Sequence, residues 1–214
     1  MLAEDSWKTA GQTSDFEVEP LIHLLPGRLT QVNDWLQTIP RLISLNAAVE
    51  YDDICNFVLR GQVQDWYELL HCAFLNAFLD SPDSHEHEQE QEHGYNRPVA
   101  FVTHHMQADL KPLAEKALSL HVERIQVNKP GFYHRHHGTW FMIRSCSRSA
   151  TMLLRAAIHN QATGRVEDNL HLPDGWHGAV LDVIELHWHW RAEAPDAAAR
   201  LSILESMERI ISQQ

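Results

Sequence analysis

Three histidines, His134, His136 and His137, lie within the first turns of a long, largely apolar predicted helix, Phe132–Ile158. Histidine titrates near neutral pH and also binds metal ions, so this group could transfer protons or hold a metal. On a helix, His134 and His137 would share one face and supply two of the three protein ligands that a catalytic metal needs. Near a helix N-terminus a neutral histidine also suits acid–base chemistry on a phenol, an enol or an alcohol. The alternative is structural: hydrogen bonds from these side chains to neighbouring groups would hold the helix entrance in place.

A second group of polar side chains lies on the predicted helix Ile54–Leu79, where Asp65, Glu68 and His71 are three residues apart. This spacing keeps them on one face of a helix. The simplest interpretation is a solvated face, because Asp and Glu are rarely buried without a partner. The other interpretation is a site that faces the histidine group, with Arg144 two turns beyond it. We expect this pair of helices, and not the histidines alone, to form the site.

Metal binding has a further candidate in the acidic, histidine-containing segment 81–98, where His85, His87 and His93 offer imidazole ligands beside many carboxylates. A mobile surface loop explains the same composition, since such a segment cannot bury apolar area. His104 and His105 form a second pair of candidates. The sequence requires no cofactor, and it leaves a divalent metal open. It contains no GxSxG, P-loop or GxGxxG motif, which argues against hydrolase, kinase and nicotinamide-dependent chemistry.

Helices are the elements predicted to position these residues, because the apolar residues recur with a period of 3.6 along most of the chain. We predict an all-α fold: a single helical domain of about six helices around a long central His-rich helix. Residues 1–20 are expected to form a flexible tail, 21–214 the domain, and Leu21–Pro26 an extended segment. The predicted helices are Arg28–Ile39, Ile54–Leu79, one that starts near Asp109 or Pro112 and continues through Ile125, Phe132–Ile158, Trp176–Trp190, and a last one that starts at Pro195.

Composition and charge restrict the function further. The net charge of −12 argues against direct nucleic-acid binding, which needs a basic surface. No apolar run is long enough to span a bilayer, and the N-terminus lacks the pattern of a secretory signal. Cys55, Cys72 and Cys146 are expected to be free thiols in a reducing compartment. We therefore expect an intracellular protein without membrane contacts, in the cytoplasm or, if it is regulatory, in the nucleus.

Four short segments carry a resemblance to a known family: Trp66–Leu70 (WYELL), His136–Trp140 (HHGTW), Gly175-Trp176 and Glu193–Asp196 (EAPD). With these segments the chain resembles the C-terminal regulatory region of fungal Zn2Cys6 transcription factors from Leu25 onward. That family's six-cysteine DNA-binding module and basic linker are missing here. Because the sequence begins with Met1, we expect a free-standing domain.

The resemblance implies a function in fungal secondary metabolism, where free-standing relatives are associated with natural-product gene clusters. It implies a small-molecule cyclase or isomerase that closes a ring on an aromatic polyketide, for instance by adding a hydroxyl group to a C=C bond with acid–base or metal assistance. The partner would be a small aromatic substrate, and a homodimer remains open. The alternatives are a non-catalytic ligand-sensing or transcription-regulatory domain and a purely structural adaptor. The candidate catalytic residues are His137, His134, Glu68, Asp65 and Arg144, and the candidate substrate-binding residues are Trp66, Tyr67, Trp140, Phe141 and His104.

Overall fold

The computed structural model describes residues 19–38, 54–80, 104–136, 138–163 and 169–213, with side chains except at 19, 54–58, 60 and 104–107. Within these ranges the chain is helical and contains no strand, so the predicted all-α fold is confirmed. The expected tail and the acidic segment 81–98 lie outside the described residues. The helices are α1 (Glu19–Thr38), α2 (Ile54–Leu79), α3 (His104–Asn128), α4 (Thr139–Thr163), α5 (Trp176–Trp190) and α6 (Pro195–Ser212).

Two helices begin earlier than their prolines indicated. Helix α1 starts at Glu19, so the extended segment predicted for Leu21–Pro26 is wrong. Pro26 removes one backbone hydrogen bond from this helix. Burial of Leu25 in the core offsets that loss. Helix α3 likewise starts at His104 and contains Pro112, although the sequence suggested a start near Asp109 or Pro112.

Helix α4 starts later than predicted, at Thr139 instead of Phe132. A short 3₁₀ turn at Lys129–Gly131 precedes it, and His134 and His136 lie between the two. The Thr139 hydroxyl oxygen accepts a hydrogen bond from the His136 backbone N–H at 2.8 Å, and the Gly138 N–H donates to His136 Nδ1 at 3.1 Å. These bonds fix the turn that leads into α4. His134 precedes α4, so the prediction that placed it on this helix is wrong, and His137 lies outside the described residues.

Helix α4 is central to the described part of the chain. It packs against α3, α5 and α6, and α2 packs mainly against α3 and touches α4 at its edge. One side of α4 thus faces α2 and α3, and the other faces α5 and α6. No helix among the described residues is both long and apolar enough to cross a membrane. The core-facing side chains of α4 include Ile143, Cys146, Ala150, Leu153, Leu154 and Ala157.

Candidate functional site

The polar face of α2 points into the protein. Glu68 and His71 are each 3% exposed, whereas Trp66 and Leu69 are 61% and 72% exposed. The prediction that this face of α2 is solvated is therefore wrong. A buried carboxylate is costly unless opposite charges compensate it, so the partners of Glu68 decide what this face does.

Two arginines compensate the buried carboxylates. Arg124 of α3 places Nε 2.6 Å from Glu68 Oε2 and Nη2 2.8 Å from Asp65 Oδ1. Arg148 of α4 donates from Nε to Glu68 Oε1 at 2.7 Å and approaches Asp65 Oδ1 at 3.5 Å. Glu68 Oε2 and Arg124 Nη2 lack a partner with hydrogen-bond direction, so their contacts act mainly through charge. Two negative and two positive groups leave this network neutral.

The two arginines differ in their access to solvent. The Arg124 side chain is 3% exposed, whereas the Arg148 side chain is 55% exposed. Exposure screens an ion pair and reduces its contribution to stability, so the Arg148 contacts are the weaker ones. Arg124 links α3 to α2 through buried contacts, and Arg148 links α4 to α2 through a half-exposed side chain.

His121 and Cys72 complete the cluster. The fully buried His121 has Nδ1 3.1 Å from Ser149 Oγ and 3.6 Å from Glu68 Oε1, and its Nε2 lies 3.4 Å from Cys72 Sγ. Burial lowers the pKa of His121 to about 4 although the Glu68 charge opposes this. Burial, reinforced by Glu68, raises the pKa of Cys72 to about 12. Both groups are therefore neutral near pH 7. A Cys–His–Glu arrangement of this kind lacks the thiolate that nucleophilic catalysis needs.

The same atoms form a set of metal-ligand types. One ligand atom each from Glu68, Cys72 and His121 lie within 4.8 Å of one another, and the three could hold a metal ion. A carboxylate, a thiolate and an imidazole together suit Zn²⁺ and related ions. Glu68 and Cys72 share a face of α2 because they are four residues apart, and His121 enters from α3. The sequence interpretation missed Cys72 and His121, and the spacing of Glu68 and Cys72 was the only available signal. His85, His87 and His93 lie outside the described residues.

The predicted catalytic residues are only partly brought together. Glu68 and Asp65 lie in one network, but their cationic partners are Arg124 and Arg148. Arg144 is exposed and pairs with Asp196 at 3.4 Å. His134 is exposed on the turn before α4. His137 lies outside the described residues.

The predicted substrate-binding residues lie apart from this network. Trp66 is exposed on α2, and Tyr67 of the same helix donates its hydroxyl proton to Asn33 of α1 at 2.5 Å. Phe141 is exposed, and Trp140 packs edge-on against Trp190 with ring centroids 5.5 Å apart. The side chain of His104 lies outside the described residues.

The chain around the HHGTW segment contacts the chain around the EAPD segment in the structure. Arg135, just before α4, forms an ion pair with Glu193, and Trp190 Nε1 donates to the Phe132 carbonyl at 2.7 Å. Together with the Trp140–Trp190 contact, these bonds join the entrance of α4 to the end of α5. We call this set, Phe132, Arg135, Trp140, Trp190 and Glu193, the α4–α5 junction. For His136 the structural alternative fits, since its ring bonds the Gly138 backbone.

A second buried histidine lies on the other side of α4. His187 of α5 has Nε2 2.6 Å from Ser147 Oγ, and Ser147 also donates to the Ile143 carbonyl at 2.6 Å. Burial lowers the pKa of His187 to about 4, with help from the Arg200 charge and against the backbone at Ala197 and the charge of Asp196. Among the described residues its buried Nδ1 has no partner at full hydrogen-bond geometry, although the Ala197 backbone is close enough to raise the pKa of the ring. The sequence interpretation did not single out this pair.

No family model, no curated protein and no solved structure matches this chain. The resemblance to fungal regulatory domains therefore rests on the sequence segments alone and remains a prediction. The function has to be argued from the cluster itself.

Proposed function

We propose that this domain is a non-catalytic, ligand-sensing regulatory module of the kind that accompanies Zn2Cys6 modules in fungal transcription factors. The sensing element is the set of Asp65, Glu68, Cys72, His121, Arg124 and Arg148, which we call the α2–α3–α4 cluster. The observation that carries the proposal is the position of a neutral, buried ion-pair network where three helices meet, with one exchangeable member, Arg148.

A buried ion-pair network favours this function because such networks specify an arrangement of helices more than they stabilise it. A ligand that competes for Glu68 changes which helices are linked, because Glu68 contacts Arg124 of α3 on one oxygen and Arg148 of α4 on the other. Regulation requires a ligand that binds two arrangements of the helices with different affinities. The second arrangement is the one in which Arg148 no longer contacts Glu68.

The cyclase expected from the resemblance is less well supported by the same contacts. It needs an acid that donates a proton to the substrate, but the Glu68 and Asp65 carboxylates are both engaged in ion pairs with arginines. His121 is a poor acid as well, because burial keeps its ring unprotonated. A divalent metal agrees with the donor types of the cluster better than an organic substrate does.

A reporter assay tests the regulatory proposal. The full chain is fused to a heterologous DNA-binding domain in yeast, and reporter output is compared for wild type, Arg148→Gln and Glu68→Gln at matched protein levels. Arg148→Gln is the milder change because that side chain is half exposed. Glu123→Gln, at an exposed position of α3, is the matched control.

We expect both cluster variants to shift reporter output several-fold while the control behaves as wild type. Equal output from all four proteins would contradict a regulatory role. Turnover of a prenylated phenol by the purified chain, abolished in Glu68→Gln but retained in Glu123→Gln, would replace the regulatory proposal with the cyclase.

A further inference from the structure

We propose that the ligand of the α2–α3–α4 cluster is a thiophilic divalent metal ion of the Zn²⁺ class, bound by Cys72, His121 and Glu68 in exchange for Arg148. Metal binding stands on the geometry of the cluster alone, and only its regulatory consequence rests on the function proposed above. The site differs from the histidine-rich segment 81–98 because it combines a thiol, an imidazole and a carboxylate from two packed helices.

The Cys72–His121 pair already has the spacing of two ligands on one metal. With Zn–S of about 2.3 Å and Zn–N of about 2.0–2.1 Å, the observed 3.4 Å between Sγ and Nε2 corresponds to an angle of about 100° at the metal. That angle is compatible with a tetrahedral site. The other ring nitrogen of His121, Nδ1, is 3.1 Å from Ser149 Oγ. A hydrogen bond from Nδ1–H to an outer partner is the usual support of a metal-bound histidine, and it leaves the Nε2 lone pair directed at Cys72.

Glu68 supplies the third ligand by exchanging its partner. Its Oε1 is 3.6 Å from His121 Nδ1 and accepts a hydrogen bond from Arg148 Nε at 2.7 Å. A change of the Glu68 rotamer toward Nε2 breaks the Arg148 bond. Arg148 can then turn to solvent at low cost because its side chain is already half exposed. Arg124 keeps its contact with Asp65, so α3 stays attached to α2.

The charges balance through this exchange. Before binding, Asp65 and Glu68 offset Arg124 and Arg148. A divalent ion adds two positive charges, the Cys72 thiol releases its proton to solvent and becomes a thiolate, and Arg148 leaves with one positive charge. The cluster is neutral again. Without the departure of Arg148 the buried site would carry a net positive charge, which a low-dielectric interior opposes.

The exchange has a structural consequence for the helices. Arg148 is one of two arginines that link α4 to α2, the other being Arg155, whereas α2 packs mainly against α3. Metal binding therefore strengthens the attachment of α2 to α3 through three ligands and removes the Arg148 link between α2 and α4. Cys72 is only partly buried and provides an entry path for the ion.

Cobalt titration of the purified full chain tests the site, because Co²⁺ replaces Zn²⁺ and a cobalt–thiolate bond gives a charge-transfer band in the near ultraviolet. We expect one Co²⁺ per chain with this band, loss of the band in Cys72→Ser, and retention in Cys146→Ser, whose thiol is buried on α4. A triple variant, His85→Gln, His87→Gln and His93→Gln, is expected to retain it. Circular dichroism verifies that each variant is folded.

The exchange itself is tested by two arginine variants on α4. Arg148→Gln removes the competitor for Glu68 and is expected to tighten Co²⁺ binding about tenfold. Arg155→Gln is the matched control, because Arg155 also links α4 to α2, through Asn76 and Asp80, without touching the cluster. It is expected to leave the affinity unchanged.

The outcomes separate the proposals. Absence of the thiolate band in wild type, or its survival in folded Cys72→Ser, overturns the metal site. Weaker or unchanged binding by Arg148→Gln overturns the exchange. A cobalt site in a protein whose cluster variants leave the reporter unchanged would uphold the metal site and reject the regulatory function. Absence of a cobalt site in a protein whose cluster variants do shift the reporter output would reject the metal site alone.

Discussion

Acid is expected to destabilise this protein through His187, which is buried between α4, α5 and α6. Its pKa is about 4 in the folded chain and about 6.5 in the unfolded chain. Below pH 6.5 His187 binds a proton in the unfolded chain but not in the folded chain. The free energy of unfolding therefore falls as the pH drops from 6.5 to 4. At pH 5 the loss relative to pH 7 is at most about 2 kcal/mol for this one ring. Burial is the largest cause of this lowered pKa, the Arg200 charge lowers it further, and the Ala197 backbone and the Asp196 charge oppose the shift.

The measurement is urea unfolding at pH 7 and pH 5, followed by circular dichroism, for wild type and His187→Gln. Glutamine keeps an amide near Ser147 Oγ but takes up no proton. We expect the variant to lose about 2 kcal/mol less than wild type between the two pH values. Ser202→Ala, at an exposed position of α6 and without a titratable side chain, serves as the control and should lose as much as wild type. An equal pH dependence in His187→Gln and wild type would refute the assignment of acid sensitivity to this buried ring.

Three further predictions use the same unfolding assay at pH 7. Glu68→Gln should lower the free energy of unfolding by about 3–5 kcal/mol, because it leaves the buried Arg124 with only the partly exposed Asp65 as its carboxylate partner; a loss below 1 kcal/mol would contradict the buried ion pair. Thr139→Ala should cost about 1 kcal/mol, since it removes the acceptor for the His136 N–H at the start of α4, and Thr139→Ser should restore the stability. Gly175→Ala should cost about 1 kcal/mol because Gly175 has φ of +74°, whereas Gly178→Ala, inside α5 with open space around it, should be neutral or stabilising.

The helices could be predicted from the sequence because their apolar periodicity is strong, and α5 has the predicted bounds Trp176–Trp190. Helix starts were less predictable where prolines suggested a boundary. At Pro26 and Pro112 the burial of neighbours such as Leu25 and Leu110 outweighs the lost hydrogen bond. The start of α4 was missed because hydrogen bonds of Thr139 and His136 end the turn there, and periodicity does not register such bonds.

The candidate site could be predicted only in part. The spacing of Asp65, Glu68 and His71 identified one face of α2, but it did not show whether that face is buried. The deciding partner, Arg148, is 80 residues away from Glu68 in sequence. In the same way, the contact between Cys72 and His121 exists because α2 packs on α3 with one particular register. Helical spacing within one element carries no information about that register.

The α4–α5 junction has a consequence for how the chain folds while it is being synthesised. The Arg135–Glu193 and Trp190–Phe132 contacts each join residues 58 positions apart. At roughly 5–20 residues per second, translation needs about 3 to 12 s to cover that interval. The entrance of α4 therefore emerges from the ribosome before Trp190 and Glu193, so the Phe132 carbonyl and the Arg135 side chain lack these partners. During those seconds the nascent chain offers an apolar segment to chaperones, whereas α2 and α3 can already pair.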